Sequence, residues 1–168
     1  MTFGTEFVRG EIVELLPRLR RFARTLARNP HDADDLVQQA VERALAHADQ
    51  WRSGTPVAHW IFGIMRNAFV DEGRARSRRR RWFVRDVDVS EVRDPAGGGE
   101  AELLSIEAAM AQLPDEQRLA VGLVLVEGLS YKEAAAVMDV PIGTLTSRLA
   151  RGRDTLMQLL DGGGAASS

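Results

Sequence analysis

Nearly every apolar pattern in this chain has a helical period. Phe7, Val8, Ile12, Leu15, Leu16, Leu19, Phe22, Ala23 and Leu26 recur every three to four residues, the spacing that gives an α-helix one buried face. Pro17 lies inside that run, and its missing amide predicts a kink or a division into two short helices. A second helix opens at "NPHDADD" and carries the stripe Leu36, Val37, Ala40, Val41, Ala44, Leu45, Ala48. Asp32, Asp34 and Asp35 stand at its start, where the helix dipole favours anions. "RSGTP" reads as a turn, with Thr55 able to cap and Pro56 able to take the first position of a third helix. Val57, Trp60, Ile61, Ile64, Met65, Ala68 and Phe69 line one side of that helix, which runs on into "GRARSRRRRWFVR".

From Asp86 to about Glu102 the periodicity dissolves. "DVDVSEVRDPAGGGEAE" combines a proline, three consecutive glycines and six acids with one arginine, the composition of a flexible linker. Beyond it, Leu103, Leu104, Ile106, Met110 and Leu113 predict a helix ended by Pro114. "DEQRLAVGLVLVEG" predicts another, closed by Gly128. "SYKE" is a capping box, Ser130 capping with Glu133 three residues on, and Ala134, Ala135, Val137 and Met138 form the inner face of the short helix it starts. "DVPIG" is a turn before the last helix, and "GGGAASS" is expected to be a disordered tail. No strand pattern or internal repeat interrupts this sequence of helices. The expected fold is all-α.

Composition refines the picture. The chain has 168 residues, 45% hydrophobic and 27% charged, enough apolar matter for a core. It has no cysteine, which excludes disulfides and cysteine-bearing metal sites and fits a reducing cytoplasm. The N-terminus lacks an apolar signal core, and no stretch approaches the roughly 20 apolar residues of a membrane span; an intracellular location without membrane insertion is expected. The net charge of −2 conceals a partition. Residues 1–85 carry +6, residues 86–127 carry −8, and residues 128–168 are neutral. Attraction to phosphate is governed by charge within a Debye length of roughly 8 Å, so the basic front can hold a polyanion whatever the total.

Three stretches are candidates for chemistry. In the last helix Leu145, Leu149, Gly152 and Leu156 form one stripe at i, i+4, i+7, i+11, and Gly152 on it suits a close helix approach. Thr144, Ser147, Arg148 and Arg151 form a different face of short donors and arginines, the layout that reads base edges and phosphates from the major groove. With the capped helix before it, this is a helix-turn-helix; the competing reading of a merely solvated face is weaker. The second stretch, Trp60 to Arg85, joins an aromatic, an Arg66–Asn67 pair and six positive charges in the eight residues from Arg74 to Arg81. Aromatics stack on unpaired bases while arginines hold the backbone. Phe69 reads better as core; for Trp60 stacking and core are evenly matched. In the third stretch, "DADDLVQQAVERA", a metal among the carboxylates and His31 is disfavoured, because the dipole already explains the acids and calcium-loop glycine spacing is missing. A protein-docking face suits it better.

In this order the three pieces resemble an extracytoplasmic-function (ECF) sigma factor of bacterial RNA polymerase. "DADDLVQQAVERAL" is similar to region 2.2, "WIFGIMRNAFVDEGRARSRRRR" to regions 2.3 and 2.4, and "LPDEQRLAVGLVLVEGLSYKEAAAVMDVPIGTLTSRLARGRDTL" to region 4. "RNPHDADDLVQ" and "SRLARGR" resemble alphaproteobacterial members, including general stress regulators. The resemblance implies a region 2 helical bundle over residues 1–85, a linker over 86–102, a region 4 helix-turn-helix domain over 103–161 and a tail over 162–168. It implies that Asp34, Asp35, Leu36, Gln38 and Gln39 contact the β′ clamp helices of core polymerase, and that region 4 meets the β flap. The loop Arg52–Pro56 and the helix after it, with Trp60, Arg66 and Asn67, would hold a flipped base of the minus-ten element, while Arg74, Arg76, Arg78 and Arg79 track its backbone. Thr144, Thr146, Ser147, Arg148 and Arg151 would enter the minus-thirty-five element. Family members often carry lysine at the position of Thr146 and alanine at that of Gly152. The resemblance further implies an anti-sigma factor as partner, no cofactor, no catalytic activity of its own, and a monomer when bound to polymerase. The acidic linker reads either as a nucleic-acid mimic in a polymerase channel or as a solubilising tether.

Two rivals belong to other classes. A stand-alone helix-turn-helix regulator accounts for Ser130–Leu160 but leaves Trp60–Arg81 idle and usually needs a dimer. A metal-dependent nuclease built on Asp32, Asp35 and Asp71 is remote.

Overall fold

The computed structural model describes residues 3–82 and 106–164. The front of the chain forms three helices: α1 (Phe3–Leu26), α2 (Pro30–Ala46) and α3 (Val57–Trp82), with a single 3-10 turn at Ala48–Gln50 between the last two. The back forms α4 over residues 106–112, α5 (Asp115–Val121), a π-turn (Gly122–Val126), α6 (Tyr131–Met138) and α7 (Ile142–Gly164). No strand occurs among the described residues, and none of their helices is long and apolar enough to cross a membrane.

Most positions of the predicted stripes become the core, while Phe7 and Leu45 are exposed. Val8, Ile12, Leu19, Phe22, Ala23 and Leu26 are buried on α1, Leu36, Val37, Ala40 and Ala44 on α2, and Ile61, Phe62, Met65, Ala68 and Phe69 on α3. Pro17 does not divide α1 into two helices. Proline deprives the carbonyl of Val13 of its i+4 donor, and both residues are exposed, so water can serve that carbonyl and the helix continues. Asn29 caps α2 by accepting the Asp32 N–H at 2.8 Å, with Pro30 in the first position. Pro56 directly precedes α3, where its carbonyl accepts the Trp60 N–H at 3.1 Å.

In the back half the capping box forms as read from "SYKE": Ser130 Oγ accepts the Glu133 N–H at 3.1 Å, and Glu133 Oε1 accepts the Ser130 N–H at 2.9 Å. Gly128 ends the preceding segment at a φ of +72°, which glycine adopts without the Cβ penalty. On α7, Leu145, Leu149 and Gly152 are buried and Leu156 is half-buried. The helix extends to Gly164, so residues 162–164 of the expected tail are helical. The expected linker at 86–102, Leu103 and Leu104, and the final four residues lie outside the described residues.

One hydrophobic cluster runs through both halves, from Val8 to Leu149. At its centre lies Arg118, only 2% exposed. Its Nε donates to Met110 O (2.8 Å), Nη1 to Leu26 O (2.8 Å), and Nη2 to Ala111 O (3.0 Å) and Leu113 O (2.7 Å). Each is a carbonyl at or beside a helix C-terminus, where backbone amides run short and the dipole is negative; Met110 O also accepts the Leu113 N–H at 3.1 Å. The guanidinium also lies 5.8 Å from the Phe69 ring centroid and 3.9 Å from Asp115. Burial pushes its pKa down against the opposing pull of Asp115, with Arg28 and Arg76 pushing the same way as burial.

Two substitutions test this packing by urea denaturation. Arg118→Met keeps the volume but strips Leu26 O, Ala111 O and Leu113 O of this donor and leaves Met110 O with its Leu113 N–H alone; a loss of about 3 kcal/mol or more is expected, since each buried unsatisfied acceptor costs about 1–3 kcal/mol. Arg118→Lys should recover only part of it. Gly152→Ala places a Cβ 2.8 Å from Val121 Cγ2 and 3.3 Å from Gln117 O. Overpacking of about 1–3 kcal/mol exceeds the gain of roughly 1 kcal/mol in helix propensity, so a net loss near 1 kcal/mol is expected, relieved by Val121→Ala.

Candidate nucleic-acid interface

The last helix presents the face read from its sequence. With Leu145, Leu149 and Gly152 turned inward, Thr146, Ser147 and Arg151 are exposed, and Thr144 and Arg148 are half-buried. The hydroxyl of Thr146 is committed to its own helix, donating to Ile142 O at 2.8 Å. Arg148 is held by Glu116 of α5, Nη2 to Oε2 at 2.7 Å. A guanidinium anchored at one nitrogen keeps its other donors free in a fixed plane, the form in which arginine meets a guanine edge or a phosphate. Glu116 was not singled out in the sequence; only the packing of α5 on α7 brings it to Arg148.

Along α3 the candidate residues divide. Asn67, Arg74, Arg78 and Arg79 are exposed and Arg76 is half-buried, with Arg79 lying 3.7 Å from Glu72. Trp60 is half-buried against the core, between its two readings, while Phe69 is a core residue. Arg66 goes elsewhere: its Nη1 donates to Met138 O at 2.9 Å and Val137 O at 3.5 Å, the C-terminal carbonyls of α6. On α2, Asp34, Asp35, Gln38 and Gln39 are exposed, whereas Leu36 is buried. Leu36, Asp32, Asp35 and Gln39 face Phe69, Glu72 and Arg76 across a groove of about 110 Å³. His31 lies 3.5 Å from Asp35. Among the described residues no group of three or more acidic or histidine side chains is placed to hold a metal.

A seam between the halves, which the sequence did not disclose, borders this interface. The π-turn closes with Glu127 N–H donating to Gly122 O at 2.9 Å. Its extra residue per turn shifts the phase of the helix and sets Glu127 against α1. The Glu127 side chain is fully buried. Arg21 grips both of its carboxylate oxygens, Nε to Oε1 at 3.0 Å and Nη2 to Oε2 at 2.9 Å. Arg18 donates from Nε to Oε2 at 2.9 Å and from Nη2 to the Glu127 carbonyl at 3.2 Å, and lies 5.1 Å from the Phe62 ring centroid. Gly122 permits the approach: a Cβ there would stand 3.2 Å from both Phe22 and Thr25. Further along, His59 Nδ1 of α3 lies 3.7 Å from Glu133 Oε2 of α6.

Comparison with known proteins assigns the two halves. The family described as "Sigma2 domain of PhyR" matches residues 12–66, and that described as "Sigma-70, region 4" matches residues 103–156. The chain is similar to the ECF RNA polymerase sigma factor EcfG of Rhodopseudomonas palustris (strain TIE-1), 39% identical over 160 residues that cover 93% of this chain and 86% of that one. It is also similar to the ECF RNA polymerase sigma factor SigE of Mycolicibacterium smegmatis, 36% identical and covering 85% of this chain but 57% of the relative. Among solved structures, the sigma factor RpoE in complex with the anti-sigma factor NepR from Bartonella quintana matches with a TM-score of 0.79 and 35% identity, over 91% of this chain and 96% of that one. These matches span both halves, which a stand-alone helix-turn-helix regulator does not explain. The chain belongs to the extracytoplasmic-function sigma factors of bacterial RNA polymerase. It directs promoter-specific transcription initiation, and the family is not a family of enzymes.

The seam makes a pH prediction. Burial pushes the His59 pKa down from its ordinary value near 6.5; Glu133 on α6 pulls it up and Arg18 on α1 pushes it further down. With the halves parted, His59 regains water and binds a proton more readily. The contribution of His59 to closure is therefore fully present above about pH 6.5 and is lost as pH falls below it. Small-angle scattering or energy transfer between the halves should show separation growing from pH 7.5 to 5.5, and His59→Gln should flatten that dependence.

Proposed function

We propose that α7 inserts into the major groove of the minus-thirty-five element, with Thr144, Ser147, Arg148 and Arg151 as its reading face and Thr146 at its edge. The observation that carries this reading is the outward arrangement of that face behind the buried Leu145–Leu149–Gly152 stripe. Glu116 orients Arg148 for the purpose. Trp60, Arg66 and Asn67 capture a flipped base of the minus-ten strand, where stacking and hydrogen bonds offset an unstacking cost of a few kcal/mol. Arg74, Arg76, Arg78 and Arg79 follow the backbone beyond it. Asp34, Asp35, Gln38 and Gln39 form an exposed polar edge of α2 for the β′ clamp helices, with Leu36 beneath them, and the region 4 half meets the β flap. In this role the two halves act as separable domains, 1–85 and 103–161. The chain performs no covalent chemistry, works in the cytoplasm as a monomer on polymerase, and is held in check by an anti-sigma factor, as the Bartonella quintana relative is bound by NepR.

In vitro transcription with core polymerase and a genomic promoter library tests the reading. Specific initiation at one promoter class is expected; no gain over core enzyme alone overturns it. Arg148→Ala should weaken promoter binding by about 1–3 kcal/mol and relax preference at one base position. Unchanged affinity and preference would return that face to bulk solvent.

A further inference from the structure

The loop assigned to the flipped minus-ten base has little side-chain packing to hold it. Arg52, Ser53, Gly54, Thr55 and Pro56 are all exposed. A Cβ at Gly54, whose φ is +106°, would meet nothing within 4 Å. A loop that prefers one base must nevertheless keep one shape, because a ligand of one conformer binds more weakly by the fraction of chains that hold it. Trp51, directly before the loop, is the one residue of 51–56 that is not exposed, and it packs against the core.

Trp51 is fixed from three directions. Its backbone N–H closes the 3-10 turn on Ala48 O at 3.3 Å. Its ring lies on the first turns of α1. There the Phe7 ring centroid is 5.3 Å away at an interplanar angle of 33°, inside the roughly 4.5–7 Å over which tilted aromatic rings attract. A Cβ at Gly4 would touch Trp51 Cε3 at 4.0 Å. Gly4 and Phe7 are spaced i, i+3 and share one face of α1, and the indole spans them. The third direction is the loop itself. Indole Nε1 is a donor only, and it gives its hydrogen to Thr55 O at 2.9 Å. Thr55 N–H returns to Arg52 O at 3.4 Å, and Arg52 Nη1 donates to Asp49 O at 2.9 Å. The loop is a ring of local bonds closed by the indole, and the indole is oriented by α1.

This closure falls where the loop passes into α3. Pro56 disfavours a helical conformation at Thr55, and Pro56 O accepts the Trp60 N–H at 3.1 Å in the first turn of the helix that carries Trp60 and Asn67. The ring of Phe7 is 46% exposed, so α1 keeps at its solvent margin an aromatic that adds little to the core and lies against Trp51.

We propose that Phe7, acting through Trp51, is a positioning residue for minus-ten recognition: the first turns of α1 hold the indole, and the indole holds the base-capturing loop in one shape. The inference rests on the minus-ten role proposed above for that loop. Neither ring need touch the captured base. Discrimination at one base position is then set from the start of α1, and a change there alters it without altering any residue that meets DNA.

The test uses the full chain with core polymerase and a promoter library randomised over the minus-ten element. Phe7→Leu keeps an apolar side chain and removes the ring. At one minus-ten position it should reduce the preference for the favoured base about tenfold, with the minus-thirty-five preference and the affinity for core polymerase unchanged. Phe7→Tyr should restore the preference. Trp51→Phe keeps a ring beside Phe7 but drops the donor to Thr55 O, and it should lower the same preference. A second measurement is independent of transcription. The chain has three tryptophans, so a nitrogen–proton spectrum of the free chain carries three indole signals, and Trp51→Phe identifies that of Trp51. Phe7→Leu should shift this signal and speed its exchange with water several-fold. Unchanged base preference in Phe7→Leu overturns the proposal, whatever the indole signal does. A loss of core polymerase affinity as large as the loss of preference also overturns it, since that marks a merely structural role. A wild-type chain with no preference at any minus-ten position would instead overturn the base-capture reading, and the indole signal would still decide whether α1 fixes the loop.

Discussion

The structure depends on how an α-helix ends. Its last carbonyls have no amide above them, and when such an end is buried something must supply donors. Arg118 does this for α1 and for α4 with one guanidinium, spending its donors on four carbonyls. A fork of five N–H groups is the only side chain able to serve so many acceptors from one point. Because those carbonyls belong to both halves, the fork also fixes where the halves meet. Arg66 repeats the solution at the end of α6. The seam is therefore a set of helix termini closed from across the chain, with apolar packing filling the space between.

That arrangement explains which parts were legible in the sequence. Periodicity located every helix, since burial of one face leaves a record at i, i+3 and i+4. The capping box at Ser130 and the glycine stop at Gly128 were readable because their partners lie within a few residues. The α7 face was readable for the same reason: its buried and exposed stripes are both local. Pro17 leaves α1 undivided, because the cost of a missing amide depends on whether the orphaned carbonyl meets water, which is a tertiary fact. Leu36 fell within a polar docking segment, yet its side chain belongs to the core.

The seam was illegible for a physical reason. Arg18 and Glu127 are 109 residues apart in sequence, Arg66 and Met138 are 72, and Arg118 and Leu26 are 92. An arginine on a basic segment looks the same whether it meets a phosphate or a distant carbonyl. Arg66 sat in a stretch whose charge suggested nucleic acid, and charge alone does not name the anion. Part of the charge of the basic front thus meets the carbonyls and the carboxylate of the same chain.

The π-turn at Gly122–Val126 adds one residue to a turn that would otherwise close four residues back. Each residue of an α-helix advances the direction of side chains by about 100°. Losing that one residue would restore the regular winding and swing Glu127 off α1. The apolar residues on either side would need only to slide. In evolutionary terms the coupling of the two halves is a matter of reading phase: a single-codon deletion or insertion is enough to disconnect or create it, without a change in the composition of the core. Relatives of similar residues that differ in length by one residue here can thus differ in whether their halves are coupled, and the winding of this turn is the place to look.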